Sequence, residues 1–406
     1  EFELEADALY QVNGPVNLNR LLAVCDLVDR PDLTYPGFTP GLPLELRHGG
    51  DMFKAMRQRD VLLHHPFESF APVAELLRQA AQDPEVLAIK QTLYRTGAES
   101  AVVDHLVTAA QAGKEVTVVV ELRARFDEAE NIGLANRLQE AGAHVVYGVV
   151  GHKTHAKMML IIRREGSRLR HYVHLGTGNY HSRTARLYTD YGLLTANPTI
   201  GEDVHRVFLQ LTSLGKVSAL EHLLESPFTL HQGVIDKITR ETAHAEQGKP
   251  ARLIAKVNSL VEPKVIRALY RASQAGVHID LIVRGMCCLR PGVEGVSENI
   301  RVRSVIGRFL EHTRVFYFAN DGDAELFCSS ADWMERNFFR RVETAFPLLE
   351  ANLKDRVLAD LEHYLEDNSQ AWILCADGHY TRETPAADGE AISAQSTLLA
   401  TYADDS

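Results

Sequence analysis

The sequence predicts an α/β fold made of two tandem, related α/β domains that arise from an internal duplication. Short apolar runs alternate with helical stretches of about 10–15 residues, which argues for a sheet covered by helices. The same order of runs returns later in the chain, as a domain-scale repeat would give. Each series also ends in a histidine two residues ahead of a lysine or arginine, in front of a β-pair.

The elements follow in order. NGPVNLNRLLAV is a turn feeding a helix. RPDLTYPGFTPGLP carries four prolines and reads as a loop. FESFAPVAELLRQAAQD is a loop leading into a helix. VLAIKQTLYR and EVTVVVEL are strands, separated by the helical AVVDHLVTAAQAGK. EAENIGLANRLQEAG is a helix ending at Gly142, and HVVYG is the next strand. AKMMLIIRR and HYVHLG form a β-pair around a turn at Glu165 and Gly166.

In the second series ARLIAKVNSL is a strand, and EPKVIRALYRASQAG is a helix with proline at its start. VHIDLIVRG and NIRVRSVIG are strands. RVFYFAN and AELFCSSADW pair around Asp321 and Gly322, and LKDRVLADLEHYLED closes the series. The regular series cover 83–200 and 250–368, with the polar ETAHAEQGKP at the junction. The expected domains are 1–82, part of a preceding domain with a linker; 83–235; and 236–406, which includes a C-terminal helical tail.

Composition bounds the function. The chain has 406 residues, of which 45% are apolar, enough for sizeable cores, and two or three domains are expected. Its 43 basic and 54 acidic residues give a net charge of −11. That balance argues against a nucleic-acid binder, which needs a positive surface for phosphates. It leaves room for a local arginine-lined pocket. The five cysteines, Cys25, Cys287, Cys288, Cys328 and Cys375, form no Cys-x-x-Cys pair and suggest a reducing compartment. Cys287 and Cys288 read as packing residues rather than metal ligands. No basic segment precedes an apolar stretch at the start, and no run is long enough to span a bilayer. A cytoplasmic location is expected, with peripheral attachment to the inner membrane through other subunits left open. EFELEADALYQVNGPVN has no initiator Met and reads as the inside of a longer polypeptide.

The repeated histidines carry the chemistry. His155 and Lys157 stand two apart at a strand start, so period-two alternation puts both side chains on one face. Beyond the next strand comes GTGNYHSR, with Asn179 in a small-residue turn. His312 and Arg314 repeat the spacing, and CSSADW follows with Ser329, Ser330 and Asp332. Together the two copies would build one site at the domain interface. One imidazole can attack a phosphoryl group, and a second can protonate or orient the other reactant. Lys157 and Arg314 would neutralise the transferring oxygens. The ordinary alternative is that His155 and His312 are plain strand-end residues; His171, His174 and His181 show how common spare histidines are here.

More cations stand at strand ends, where ligands meet open α/β sheets. Lys90 and Arg95 bracket the end of the first strand, Arg123 and Arg125 follow VVVEL, and Arg284 closes VHIDLIVRG. Arg95, Arg125 and Arg284 are placed to bind anions. From Arg284 to Arg314 six arginines face three glutamates, a basic stretch in an acidic protein that would focus an anionic substrate.

Several long blocks resemble one family. KQTLYRTG, VVVELRARFDEAENI, YGVVGHKTHAK, HLGTGNYH, ARLYTDYGLLT, VEPKVIRALYRASQAGVHIDLIVRG and IGRFLEHTRVFYF are similar, in order and spacing, to polyphosphate kinase of the long bacterial type. Its two histidine domains are similar to those of the phospholipase D superfamily. The resemblance implies reversible transfer of the terminal phosphate of ATP to inorganic polyphosphate through a phosphohistidine, with Mg2+, in a homo-oligomer (a dimer or tetramer). It implies His155 as nucleophile and His312 as the second catalytic histidine, in an acid–base or positioning role. Arg95 and Arg125 match magnesium positions; a cation is a poor metal ligand, so phosphate contacts beside the ion are expected of both. Tyr188, Arg284 and His312 match the nucleotide-binding set.

Two departures stand out. The resemblance implies an amino-terminal helical domain and a following domain ahead of the first strand series, so the first is expected to lie outside this sequence and the second to be only partly in it; an asparagine that helps bind ATP is expected in the part outside. The superfamily's aspartate after His-x-Lys is replaced, since LIIRRE follows Lys157 without a matching carboxylate. That fits phosphoryl transfer among anhydrides better than lipid hydrolysis. The alternatives carried forward are a catalytically incomplete polyphosphate- and nucleotide-binding fragment, a phospholipase D-like phosphodiesterase, and a structural partner subunit.

Overall fold

The computed structural model describes residues 8–47, 49–94, 100–121, 128–149, 151–212 and 219–404. The chain divides into two compact units, Glu1–Phe38 and Thr39–Ser406. In the first, a 3-10 turn at Leu18–Leu22 runs into helix α1 (Ala23–Leu27), and none of its described residues is buried.

The second unit holds both sheets. Its first half is, in order, α2 (Met52–Gln58), β1 (Val61–His65), α3 (Ala71–Gln82), β2 (Val86–Leu93), α4 (Ala101–Gln111), β3 (Glu115–Val120), α5 (Glu128–Glu140), β4 (His144–Val146), β5 (Lys153–Thr154), β6 (Lys157–Glu165), β7 (Arg168–Gly176), β8 (Tyr188–Thr195) and α6 (Pro198–Thr212). The second half continues with β9 (Leu224–Ser226), α7 (Leu230–Glu246), β10 (Arg252–Val257), α8 (Pro263–Gln274), β11 (His278–Val283), β12 (Ile300–Val305), β13 (Leu310–Glu311), β14 (Arg314–Phe318), β15 (Glu325–Ser329), α9 (Glu335–Arg340), β16 (Arg341–Pro347), α10 (Ala351–Glu366), β17 (Ala371–Leu374), β18 (Tyr380–Arg382) and α11 (Ala394–Tyr402). No helix among the described residues is long and apolar enough to cross a membrane.

The duplication is written in the strand order. The first sheet runs β1-β8-β7-β6-β2-β3-β4, and the second contains β9-β16-β15-β14-β10-β11-β12, the same path. In both, three strands are parallel (β2, β3, β4; β10, β11, β12) and the β-pair joins antiparallel. The central strands are apolar because helices cover them: Val116, Val118 and Val120 lie in the first core, and Leu253, Ala255 and Val257 in the second. Helix α8 shows how the sequence sets its own limits. Glu262 caps it by accepting the Val265 N–H at 2.7 Å, Pro263 occupies the first turn, and Val265, Leu269 and Ala272 face the core at helical spacing.

Two boundaries differ from the sequence expectation. β1 pairs with β8, and Met52, Phe53, Val73 and Leu76 join the first core, so residues before 83 build part of this sheet and its cover. The expected division at 235/236 falls within α7, which buries Leu230, Val234 and Ile238 together in the second core. In each case an amphipathic face decides which core an element joins.

The two halves also exchange strands. β5 lies parallel to β16, with Lys153 opposite Arg341 and Thr154 opposite Val342. β13 lies parallel to β8, with Leu310 opposite Tyr188 and Glu311 opposite Thr189. Each short strand sits directly ahead of a repeated histidine, so each histidine is delivered against the other half's sheet.

Candidate active site

His155 follows β5 and is held by the partner half's backbone. The N–H groups of His155 and Ala156 both donate to the Val342 carbonyl at 2.9 Å. Lys157 opens β6, and its ammonium donates to the His155 carbonyl. His312 follows β13; its N–H donates to Thr189 Oγ1 at 3.0 Å. Arg314 opens β14 and donates to the His312 carbonyl at 2.9 Å. The repeated spacing thus builds the same turn twice, with the cation folded back over its own histidine.

Each imidazole is fastened to a carboxylate of the opposite half. His155 Nδ1 lies 2.8 Å from Glu343 Oε2, on β16, and His312 Nδ1 lies 2.9 Å from both oxygens of Asp190, on β8. Both carboxylates are the third residue of equivalent strands. Each is held in turn by a hydroxyl: Thr177 Oγ1 donates to Asp190 at 2.6 Å, and Ser330 Oγ to Glu343 at 2.5 Å. Asn337 adds a 2.6 Å bond to the other Glu343 oxygen, and Arg341 stands 3.7 Å from it.

Burial sets the protonation. Only 8% of His155 is exposed, and burial pushes its pKa down to about 3, against the pull of Glu343. Burial alone would raise the Glu343 carboxyl, but His155, Lys157 and Arg341 outweigh it and bring it down to about 2. At neutral pH the pair is therefore a neutral imidazole donating Nδ1–H to a carboxylate, which leaves the Nε2 lone pair for chemistry. His312 is likewise lowered by burial, and Asp190 is held below the usual carboxylate range because His312, Thr177 and Arg314 overcome its burial. Lys157 is brought down to about 7 by burial, with the charges of Arg314 and Arg341 adding to the effect.

The sequence-derived residues have distinct places. Lys157 links the two copies: it lies within electrostatic reach of His155 in its own half and of His312 and Arg314 in the other. Arg314 is also clamped by Asp332, at 3.2 Å to each oxygen, so part of its charge is already offset. The Tyr188 ring lies 5.4 Å from that of His312. Arg284 is half-buried and feels the charge of Arg314 and the phenol of Tyr188. Ser330 supports Glu343, whereas Ser329 bonds the Thr344 carbonyl at 3.0 Å. Lys90 stands beside His171 and His205. Arg95, Arg123 and Arg125 lie outside the described residues.

Sequence reasoning missed Asp190, Glu343, Thr177 and Arg341. A signal existed for the carboxylates: YTDYGLL and RVETAF each bury an acid in a strand of otherwise apolar character, which happens only when the charge is paired. Which base each would meet was invisible, because the partner lies in the other half.

Two α/β halves of one topology, each presenting a histidine at their junction, define a protein of the duplicated phospholipase D-like class. Family models for polyphosphate kinase C-terminal domain 1 and domain 2 match residues 51–217 and 223–395. The chain belongs to the polyphosphate kinase family. It is 61% identical over 399 residues to the polyphosphate kinase of Xylella fastidiosa strain Temecula1, covering 98% of this chain and 57% of that protein. For the polyphosphate kinase of Pseudomonas aeruginosa the identity is 60%, covering 98% and 58%. The crystal structure of polyphosphate kinase from Porphyromonas gingivalis superposes with a TM-score of 0.85 at 34% identity, over 96% of this chain and 63% of that one. The chain thus spans little more than half the length of the curated relatives it matches. A phosphatidylserine synthase from Haemophilus influenzae, at 10% identity and TM-score 0.52 over 80% of this chain and 88% of that one, shares the fold alone.

Proposed function

We propose that this chain carries the phosphotransfer centre of a polyphosphate kinase, and that His155 is its nucleophile. The observation that carries the reading is the crossed bracing of two buried imidazoles by Glu343 and Asp190. Burial keeps His155 neutral, and the bond to Glu343 fixes its tautomer and leaves Nε2 for the reaction.

In the first step the His155 Nε2 lone pair attacks the terminal phosphorus of ATP in line. The N–P bond forms, the bridging O–P bond breaks and ADP leaves. The ring's gain of positive charge is met by Glu343 at Nδ1. Lys157, Arg314 and Arg341, together with Arg95 and Arg125, would offset the charge on the phosphoryl oxygens. In the second step a terminal polyphosphate oxygen attacks the phosphorus, the N–P bond breaks and neutral His155 returns. Run backwards, the steps make ATP. His312, Tyr188 and Arg284 would hold the nucleotide, with His312 kept in one tautomer by Asp190. Magnesium, which the family implies, would enter on phosphate oxygens. Among the described residues no group of three or more His, Cys, Asp or Glu could hold a metal ion.

The test is phosphohistidine formation from γ-labelled ATP and, separately, from labelled polyphosphate. Acid-labile, alkali-stable label on the His155 peptide, lost in His155→Ala and reduced in His312→Ala, is expected. Label from polyphosphate but not ATP would show that nucleotide binding needs more than this chain. A folded chain that takes no label from either, or that cleaves a phosphodiester without ATP, would overturn the reading.

A further inference from the structure

The tail after β18 reaches the strap that carries His312. Its path is pinned at the start of α11: Asp367 accepts the Ala394 N–H at 2.8 Å, and Asn368 exchanges bonds with Ile392. This directs Gln395, only 3% exposed, onto residues 307–311. There its amide behaves as a strand neighbour would. Phe309 N–H donates to Gln395 Oε1 at 2.9 Å, and Gln395 Nε2 donates to the Phe309 carbonyl at 2.9 Å. The same Nε2 donates to Glu311 Oε1 at 2.5 Å. The fit is close: a Cβ added to Gly307 would lie 2.6 Å from the Gln395 amide oxygen.

Glu311 passes the constraint on. It is buried, and its second oxygen takes Lys256 at 2.6 Å and the Thr189 hydroxyl at 3.0 Å. Thr189 Oγ1 in turn accepts the His312 N–H at 3.0 Å. A short chain of bonds therefore runs from the tail through Glu311 and Thr189 to the backbone of the second histidine. The rest of α11 is anchored elsewhere, with the Tyr402 hydroxyl donating to Asp360 at 2.6 Å.

We propose that Gln395 is a positioning residue for His312, its amide holding the Phe309–Glu311 strap so that the imidazole meets Asp190 and the nucleotide in one place. The inference rests on the reading of His312 as a participant in phosphotransfer. A bidentate amide suits the task because it satisfies a donor and an acceptor of one peptide at once, as backbone pairing does. Misplacement of a reacting group by about 1 Å costs on the order of a hundredfold in rate.

The experiment compares Gln395→Leu, which keeps the bulk and removes the amide, with Gly307→Ala, which presses on the same contact from the other side. Tyr402→Phe serves as the control, since it loosens α11 without touching the strap. All are made in the 406-residue chain. Two readouts are taken: phosphohistidine formation from γ-labelled ATP, and the ring nitrogen resonances of His312 in 15N-histidine-labelled protein, assigned with His312→Asn. Gln395→Leu and Gly307→Ala should shift the His312 resonances and slow labelling by about tenfold to a hundredfold. Tyr402→Phe should leave both at wild-type values, even where its melting temperature falls as far. Unchanged His312 resonances in Gln395→Leu and Gly307→Ala overturn the inference, as does an equal change in all three variants. If the wild-type chain takes no label, the phosphotransfer reading fails separately, and the resonances still decide whether Gln395 positions the ring.

Discussion

His155 and Glu343 show how burial turns two ordinary side chains into a defined pair. With 8% and 0% exposure neither can rely on water, so the bond between them sets both protonation states. Glu343→Gln keeps the shape and removes the charge, allowing the wrong ring tautomer. Phosphohistidine formation at His155 should fall by about 10²-fold or more, measured by labelling in a protein whose circular dichroism is unchanged. The same pair makes stability depend on acid. The folded values near 3 and 2 lie below the ordinary 6.5 and 4.5, so in that range the unfolded chain binds more protons. Stability should therefore fall as pH drops from about 6.5 towards 2, seen as a falling urea midpoint. His155→Gln should flatten the upper part of that limb. Lys157 acts in another window: held near 7 against its ordinary 10.5, it makes stability rise with pH between those values.

Strand β8 and the turn before it are shaped around one carboxylate. Gly178 is packed so closely on Asp190 that a Cβ there would overlap the carboxyl group. Asp190 cannot simply move aside, because Thr177 and His312 hold its oxygens. Gly178→Ala should thus push Asp190 off His312, cost about 1–3 kcal/mol in urea unfolding and slow phosphotransfer. Gly178→Ser should do the same or worse, and a variant with wild-type labelling and stability would contradict this packing. The exchanged strands explain why such a local change would be felt so directly. β13 lies against β8 at Tyr188 and Thr189, next to the acid that receives His312, so the delivering strand and the receiving acid share one stretch of backbone.

Across residues 39–404 the halves are interlocked well beyond the site. Arg356 of α10 donates to the Leu62 carbonyl at 3.0 Å and to Glu68 at 2.7 Å, and the Tyr191 hydroxyl of the first sheet donates to Asp360 at 2.5 Å. With two exchanged strands added, neither half can open without breaking buried polar contacts of the other. Calorimetry should show one cooperative transition for this unit, with equal calorimetric and van't Hoff enthalpies, rather than one for each domain. Arg356→Ala leaves Glu68 buried without its cation and should lower the midpoint by several degrees, equivalent to about 3–5 kcal/mol, and separate the transitions if any single change does. Two transitions in the unaltered protein would mean that the contacts between halves are weaker than their burial implies.

The sequence by itself determined the α/β class, the duplication, the repeated histidine–cation spacing and most strands of the regular series, but not β8 and β16, which carry Asp190 and Glu343. These are local properties: apolar period, turn residues and spacing along the chain are all present before anything folds. It also exposed the family through long motifs. The tertiary structure alone decided which acid faces which histidine, that β5 and β13 cross between halves, that β1 joins the first sheet and α3 its cover, and that the tail returns as Gln395 onto the His312 strap. Each of these pairs residues far apart in the chain, such as 155 with 343 and 309 with 395. Their partners are chosen by the closing of two cores against each other, a choice that no local pattern encodes.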